Sequence, residues 1–285
     1  MFCILLALST LLSPGGIPRP FAPVPETPPV VSMHVEGGQV AVVRGGTNHI
    51  LCTLDIPDGY HIYWRNPGAS GSPTQIEVTT PMGYEVDPMR WPRPEIFSEP
   101  EGRTYGYSGS VTFVIPFRES VRFPEPGTFE ISARWLACKK ACFMGSASKT
   151  LRVSPLEHVK HAPTTAMKSA EALLPRPLAE RASTLVTTGE DRITITGSIE
   201  PGVTPGFVPD QVPGVELGEP LLRLDQRKFE LVIPYTLHPD NALGTAPSVR
   251  GLLLMGMNQR DPSYRITIPI RHPGASDDDP SGEQD

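Results

Sequence analysis

Cys138 and Cys142, which are separated by three residues, are the two side chains of this sequence best suited to chemistry. On one continuous strand, residues four apart would lie about 13 Å from each other, beyond the ~7 Å Cα separation that a disulfide tolerates. If the intervening residues form a hairpin loop or a helical turn, the two cysteines come within disulfide range. In either arrangement the pair opens and closes with little backbone movement, as dithiol–disulfide exchange requires.

The residues around the pair favour redox exchange over a structural role. A disulfide that closes so short a loop restricts the unfolded chain only modestly, so it would stabilise the fold little. Lys139, Lys140 and Arg134 place positive charge near both sulfurs, which favours the thiolate, the attacking species in exchange. Trp135 and Phe143 flank the pair and could form an apolar rim that a docking partner covers.

Two other interpretations of the pair stay open. One is a structural disulfide in an exported binding protein that is not an enzyme. The other is Cu(I) binding or copper tolerance, because two thiolates with a histidine or methionine form the soft ligand set that Cu(I) prefers. No second cysteine pair or His-x-Cys motif supports a metal site, so no cofactor is predicted. The further ligands that Cu(I) could use are His61, Met82, Met89 and Met144.

Other classes of site find little support in the sequence. The motifs G-x-S-x-G, H-E-x-x-H and the P-loop pattern do not occur. Cys52 lies in a run of alternating apolar residues, which predicts a small buried hydrophobe. Nucleic-acid binding is also excluded: once the five acids of residues 273–285 are set aside, the net charge of −6 becomes −1, and no basic run exceeds two residues.

Composition and patterning predict an all-β chain that positions the pair. The 34 prolines and 26 glycines argue against long helices, because proline breaks helix interiors. Short strand-like runs separated by turn residues predict a β-sandwich over residues 31–155 and a second, smaller β-sandwich without cysteine over 185–272. Residues 156–184 between them are predicted to be a linker with a short helix. The apolar residues that share one face of this helix are Met167, Ala170, Leu173 and Leu174.

Two prolines occur inside strand-like runs. Pro116 in TFVIPFR and Pro234 in ELVIPYT each follow aliphatic residues. Because proline cannot donate to a ladder, we expect each at an edge strand or a bulge. The likeness of the two runs favours two sandwiches of related build, although convergent β composition would explain it equally well.

We expect the two ends of the chain to lie outside the folded sandwiches. Residues 1–18 are predicted to be a signal peptide, since their apolar run is too short to span a bilayer, and Cys3 would leave with them. A Pro-rich leader follows over 19–30, and residues 273–285 read as a disordered acidic tail. The predicted signal peptide indicates a periplasmic or otherwise extracytoplasmic protein. Because no other segment reaches 18 apolar residues, we predict no transmembrane segment in the mature chain.

Three ordered motifs are similar to those of a known family. They are W-R-N-P-G at 64–68, G-Y-x-G at 106–109 and W-L-x-C-x-x-x-C at 135–142. Their combination over residues 31–155 resembles the N-terminal periplasmic domain of the membrane thiol–disulfide interchange protein DsbD, in the branch of the suppressor-of-copper-sensitivity proteins. The resemblance implies an immunoglobulin-like sandwich that relays electrons between a membrane reductant and periplasmic thioredoxin-fold proteins.

The resemblance also implies roles for individual residues. The family's redox cysteines carry over to Cys138 and Cys142, which makes the protein a thiol–disulfide oxidoreductase. Such domains shield the pair with an aromatic cap loop that excludes oxidants, and Phe97 is the best candidate by position, with Tyr105 and Tyr107 as rivals. DsbD continues into a membrane domain, whereas this sequence continues into a second β segment. We therefore expect the thiol reductant to be a separate membrane protein.

Overall fold

The computed structural model describes residues 28–36, 39–43, 47–122, 124–156, 164–181, 183–212, 214–237 and 248–270. The predicted signal peptide, most of the Pro-rich leader and the acidic tail lie outside these residues. Within them the chain is nearly all β, as predicted from its composition.

The first sandwich consists of two four-stranded sheets around one hydrophobic core. Its strands alternate with the period of two that buries one face, so that Ile50, Cys52 and Leu54 point into the core. The immunoglobulin-like sandwich is thereby confirmed. One sheet has the order β1 (Ser32–Val35), β3 (Asn48–Asp55), β9 (Ser110–Glu119), β6 (Tyr84–Val86), and the other has the order β2 (Gln39–Val43), β11 (Cys142–Leu156), β10 (Gly127–Cys138), β5 (Gln75–Thr79).

A three-stranded sheet completes this core. It consists of β4 (Ile62–Gly68), β8 (Gly102–Tyr107) and β7 (Glu95–Glu99) in that order. We call β7, β8 and the turn between them the cap hairpin. The W-R-N-P-G motif lies in β4, where Trp64 is fully buried and Gly68, at a φ of +86°, packs against the backbone of Arg103. A side chain at residue 68 would collide with that backbone, which explains the glycine.

Helix α1 (Thr165–Ala172) packs on the outer face of the first sandwich. Thr164 caps its N-terminus by accepting a hydrogen bond from the Met167 N–H. Met167, Ala170 and Leu174 form a small apolar cluster with residues of β3 and β9. The helical segment is therefore part of the fold of the first sandwich.

The second sandwich has its own core between two further sheets. A short 3₁₀ helix, Leu178–Glu180, precedes its main strands. One sheet has the order β12 (Arg176–Pro177), β20 (Ser263–Pro269), β19 (Ser248–Met255), β15 (Pro205–Pro209). The other contains β13 (Thr184–Thr188), β14 (Arg192–Ser198) and β18 (Lys228–Leu237), with β16 (Val215–Leu217) and β17 (Leu221–Asp225) both paired to β18.

The prolines of TFVIPFR and ELVIPYT lie in central strands, so the expectation of edge strands or bulges is wrong. β9 pairs with β3 and β6, and β18 pairs with β14 and β16. Pro116 is in register with His49 of β3 and Pro234 with Arg192 of β14, whereas the β6 and β16 ladders end at the neighbouring Phe117 and Tyr235. The carbonyl of Pro116 accepts from the N–H of Asp87, and that of Pro234 from the N–H of Gly218, both at 2.9 Å. The N–H and C=O of a strand residue point to the same side, so each missing donor faces the end of a short neighbouring strand, where the ladder stops.

The two sandwiches pack directly against each other. Val208, Leu252 and Leu254 of the second sandwich belong to the core of the first. Arg93 is only 2% exposed, and its guanidinium donates to the carbonyls of Gly256 and Asp261 in the loop after β19. The second segment thus contributes apolar area and buried hydrogen bonds to the domain that carries the cysteines.

Candidate redox site

The two cysteines lie at the tip of the β10–β11 hairpin. They are cross-strand neighbours at the end of a continuous antiparallel register and form a disulfide with a Cα separation of 4.1 Å. The loop between them is Lys139–Ala141, in which the Lys139 N–H donates to the Ala141 carbonyl. Of the two local geometries that the spacing allows, the structure has the hairpin.

The two sulfur-bearing residues differ sharply in exposure. Cys138 is 3% exposed. Its backbone forms two hydrogen bonds with His61 just before β4: Cys138 N–H to the His61 carbonyl at 2.9 Å, and His61 N–H to the Cys138 carbonyl at 3.0 Å. Cys142 is exposed. In the part of the chain that the structure describes, β11 pairs with β2 only over Arg152–Leu156, which leaves its Cys142 end at the sheet edge. An incoming thiol can therefore reach Cys142, whereas Cys138 is shielded.

His61 forms the buried side of the site. Its ring stacks on Phe97 with a centroid separation of 4.6 Å and meets the edge of Tyr63 at 5.0 Å. Its Nε2 lies 3.2 Å from Oε1 of Glu99, close enough for an ion pair but without hydrogen-bond alignment, and Glu99 also accepts from the Ser70 hydroxyl. Burial lowers the pKa of His61, while the nearby Glu99 and Glu95 carboxylates oppose that shift. Sequence reasoning named His61 only as a possible copper ligand and missed Glu99.

The three cap candidates occupy different places. Phe97, in β7 of the cap hairpin, is half-buried and lies one ring away from the cysteine pair through its stack on His61. Tyr105 and Tyr107 belong to the core of the first sandwich, and the Tyr107 hydroxyl donates to the Pro92 carbonyl. Their burial gives these two tyrosines a packing role, so Phe97 is the one that adjoins the site.

The basic residues around the pair are held in distinct ways. Lys139 and Lys140 are exposed in the hairpin loop, and Nζ of Lys139 lies 5.6 Å from the ring centroid of Tyr60. Arg134 forms an exposed ion pair with Glu77 at 2.7 Å, which offsets its charge. The two lysines are thus the cations nearest to the sulfurs along the chain.

The predicted aromatic rim is split between core and surface. Trp135 is 7% exposed and belongs to the core, whereas Phe143 is half-buried opposite Ala137. A groove of about 470 Å³ opens beside the hairpin, and Met144 on its wall is 91% exposed. Its other walls include Pro73, Trp135, Leu136 and Gly145. Apolar surface thus begins two residues after the exposed cysteine.

The remaining candidate ligands and the third cysteine lie elsewhere. Met82 follows Pro81, whose ring adjoins Gly127 at the opposite end of β10, and Met89 packs against the core. Among the described residues, no group of three His, Cys, Asp or Glu side chains is placed to hold a metal ion. Cys52 is fully buried, as its alternating run predicts, and burial raises the pKa of its thiol to about 12. Cys52 is therefore unsuited to exchange.

Comparison with known proteins finds a family match for the first sandwich. Residues 33–154 match the family described as thiol:disulfide interchange protein DsbD, N-terminal. The match supports a thiol:disulfide interchange module and indicates an extracytoplasmic location.

One solved structure shows a similar fold over both sandwiches. The N-terminal periplasmic domain of ScsB from Proteus mirabilis is 20% identical with a TM-score of 0.57, over 84% of this chain and 92% of that one. The YadV chaperone, at 10% identity, and the E. coli chaperone DraB, at 14%, each cover 83% of this chain and 98% of theirs, with TM-scores of 0.26 and 0.25. The comparison with curated proteins finds no match. Among the described residues, no helix has the length and apolar character needed to cross a bilayer.

Proposed function

We propose that this protein is an extracytoplasmic thiol–disulfide oxidoreductase that relays electrons between thioredoxin-fold proteins and a separate membrane thiol reductant through Cys138 and Cys142. The observation that carries the proposal is the unequal exposure of two joined cysteines at a hairpin tip. Exchange needs one sulfur that a partner can reach and a second sulfur that acts only within the molecule. The match of residues 33–154 to the DsbD N-terminal family and the predicted signal peptide are consistent with this role.

The exposed Cys142 is the sulfur that exchanges with the partner. When the pair is reduced, the Cys142 thiolate attacks a partner disulfide, forms a mixed disulfide and releases one partner thiolate. The Cys138 thiolate then attacks Cys142 Sγ, which closes the Cys138–Cys142 bond and releases the second partner thiolate. Two electrons pass to the partner, and the reverse sequence reduces this protein again.

Three features around the cysteine pair support thiol–disulfide exchange. Lys139 and Lys140 favour the thiolate form by their charge. Phe97, carried by the cap hairpin, shields the buried side of the pair from small oxidants. The groove with exposed Met144 offers apolar contact area next to Cys142, which a thioredoxin-fold partner would cover on docking.

A trapping experiment tests the assignment. The partner is a single-cysteine thioredoxin variant that carries a thionitrobenzoate group on that cysteine. Reduced Cys138→Ala protein should accumulate a mixed disulfide with it through Cys142, because no resolving thiol remains. Cys142→Ala should trap far less, since Cys138 is shielded, and Cys52→Ala should resolve like the parent protein. Absence of a trapped species with both single variants would contradict the proposal.

A further inference from the structure

His61, Cys138 and Cys142 lie side by side on three neighbouring segments: the residue before β4, the end of β10 and the start of β11. Cys138 is directly opposite Cys142 on one side and forms an antiparallel bridge with His61 on the other. Residues directly opposite each other in antiparallel pairs project to the same face, with Cβ atoms about 5 Å apart. The His61 side chain therefore leaves the backbone on the face that carries both sulfurs, with its Cβ about 5 Å from that of Cys138.

The buried Cys138 thiol, unlike the exposed Cys142 thiol, cannot lose its proton directly to water. Cys142 can give its proton to water, whereas Cys138 is 3% exposed and must become a thiolate to close the disulfide. A buried thiol resists ionisation unless a nearby group takes the proton. The step at Cys138 thus requires a base inside the protein.

Among the described groups around His61 and Cys138, His61 is the one suited to be that base. The Lys139 ammonium in the hairpin loop has no acceptor. The Tyr63 hydroxyl, on β4, has a raised pKa and stays protonated. Glu99 and Glu95, on β7, act on the His61 pKa from the cap hairpin, and Glu99 lies at Nε2. Since burial lowers the pKa of His61, its imidazole is neutral and able to accept a proton at neutral pH.

We propose that His61 takes the proton from the Cys138 thiol when Cys138 closes the disulfide and then passes it to the solvent; when a partner thiolate opens the disulfide, the leaving Cys138 thiolate takes up a solvent proton through His61. With Nε2 facing Glu99, Nδ1 is the nitrogen left to accept the proton, and the Glu99 carboxylate stabilises the resulting imidazolium. Glu99 is a positioning residue in this scheme. The inference rests on the proposed exchange function and assigns the proton step that accompanies each transfer of two electrons.

Reaction of the reduced protein with 5,5′-dithiobis(2-nitrobenzoate) resolves the step at Cys142 from the later step at Cys138. Attack by Cys142 releases the first thionitrobenzoate, and closure by Cys138 releases the second, so absorbance reports two phases. The full chain carries Cys3→Ser, and Cys52 is buried, so only the pair contributes. The first phase tests the proposed function, because it needs only a reactive Cys142, and the second tests the role of His61.

His61→Gln should slow the second phase about a hundredfold at pH 7, the size typical of general-base catalysis, and leave the first phase within about twofold. The difference should shrink as pH rises toward the range where the thiol ionises unaided. His34→Gln is the matched control, since exposed His34 also pairs with a carboxylate, Asp55 Oδ2 at 3.0 Å, but lies on β1. It should change neither phase.

Glu99→Gln provides a second variant that keeps the ring of His61. Loss of this carboxylate removes a group that raises the His61 pKa. The low-pH limb of the second phase, where protonated His61 no longer accepts a proton, should therefore move to lower pH. An unchanged second phase in His61→Gln at every pH, equal slowing of both phases, or an unmoved limb in Glu99→Gln would overturn the inference. Loss of the first phase in the parent protein would instead overturn the proposed function.

Discussion

The β10–β11 and β19–β20 hairpins end in opposite surroundings. The first ends in a three-residue loop that leaves Cys142, Lys139 and Lys140 exposed. The second ends in the loop 256–262, which is docked on the first sandwich. Gln259 donates from this loop to the Glu95 carboxylate and the Ser108 carbonyl, and Arg93 reaches two of its carbonyls.

The two hairpin tips therefore differ in what they contribute: one holds the two sandwiches together, and the other exposes the cysteine pair. The docked tip forms hydrogen bonds with the first sandwich, and these bonds hold the two sandwiches together. The free tip is held by its own register, the bridge to His61 and the contact of Lys139 with Tyr60. The candidate redox site thus lies at the tip that is not docked on the other sandwich.

The largest effect on stability is expected at the docked tip. Arg93→Met removes a buried guanidinium and leaves the carbonyls of Gly256 and Asp261 without their donors, which should cost about 3 kcal/mol of unfolding free energy. Urea unfolding measures this loss. Arg223→Met is the control, because Arg223 forms only an exposed ion pair with Glu230, and its unfolding midpoint should not move. Equal midpoints for both variants would show that the docked tip is not a stabilising contact.

Reduction of the disulfide should have a smaller effect. Its closed loop is so short that chain-entropy arguments give at most about 2 kcal/mol. Thermal unfolding with and without dithiothreitol measures the difference, with Cys138→Ala/Cys142→Ala as the reference that reductant cannot change. A collapse of cooperative unfolding on reduction would instead support the structural-disulfide interpretation.

The Cys138–Cys142 disulfide could be predicted from sequence because its members are near neighbours. Spacing alone limited Cys138 and Cys142 to a hairpin or a helical turn, and the three ordered motifs indicated the family. The choice between the two geometries depends on strand pairing, which local sequence does not encode. Cys52 was predictable for the same local reason, since strict alternation marks a strand with one buried face.

The rest of the site depends on contacts between distant segments. Glu99 meets His61 across 38 positions of sequence, and no motif marks either residue as part of a redox centre. Tyr107 and Phe97 both belong to the cap hairpin, but the pairing of β8 with β4 places Tyr107 opposite Ile62, in the core. The proline prediction failed because the neighbours of a strand cannot be read from the strand itself.

The reduction potential of the Cys138–Cys142 pair tests the central claim most directly. Equilibration of the full chain with dithiothreitol or glutathione buffers, followed by thiol alkylation and mass analysis, gives the fraction oxidised at each poise. An exchange module with one exposed sulfur should have a potential above roughly −300 mV, where biological dithiols can reduce and reoxidise it. A potential below that value would mark a structural disulfide and contradict the account.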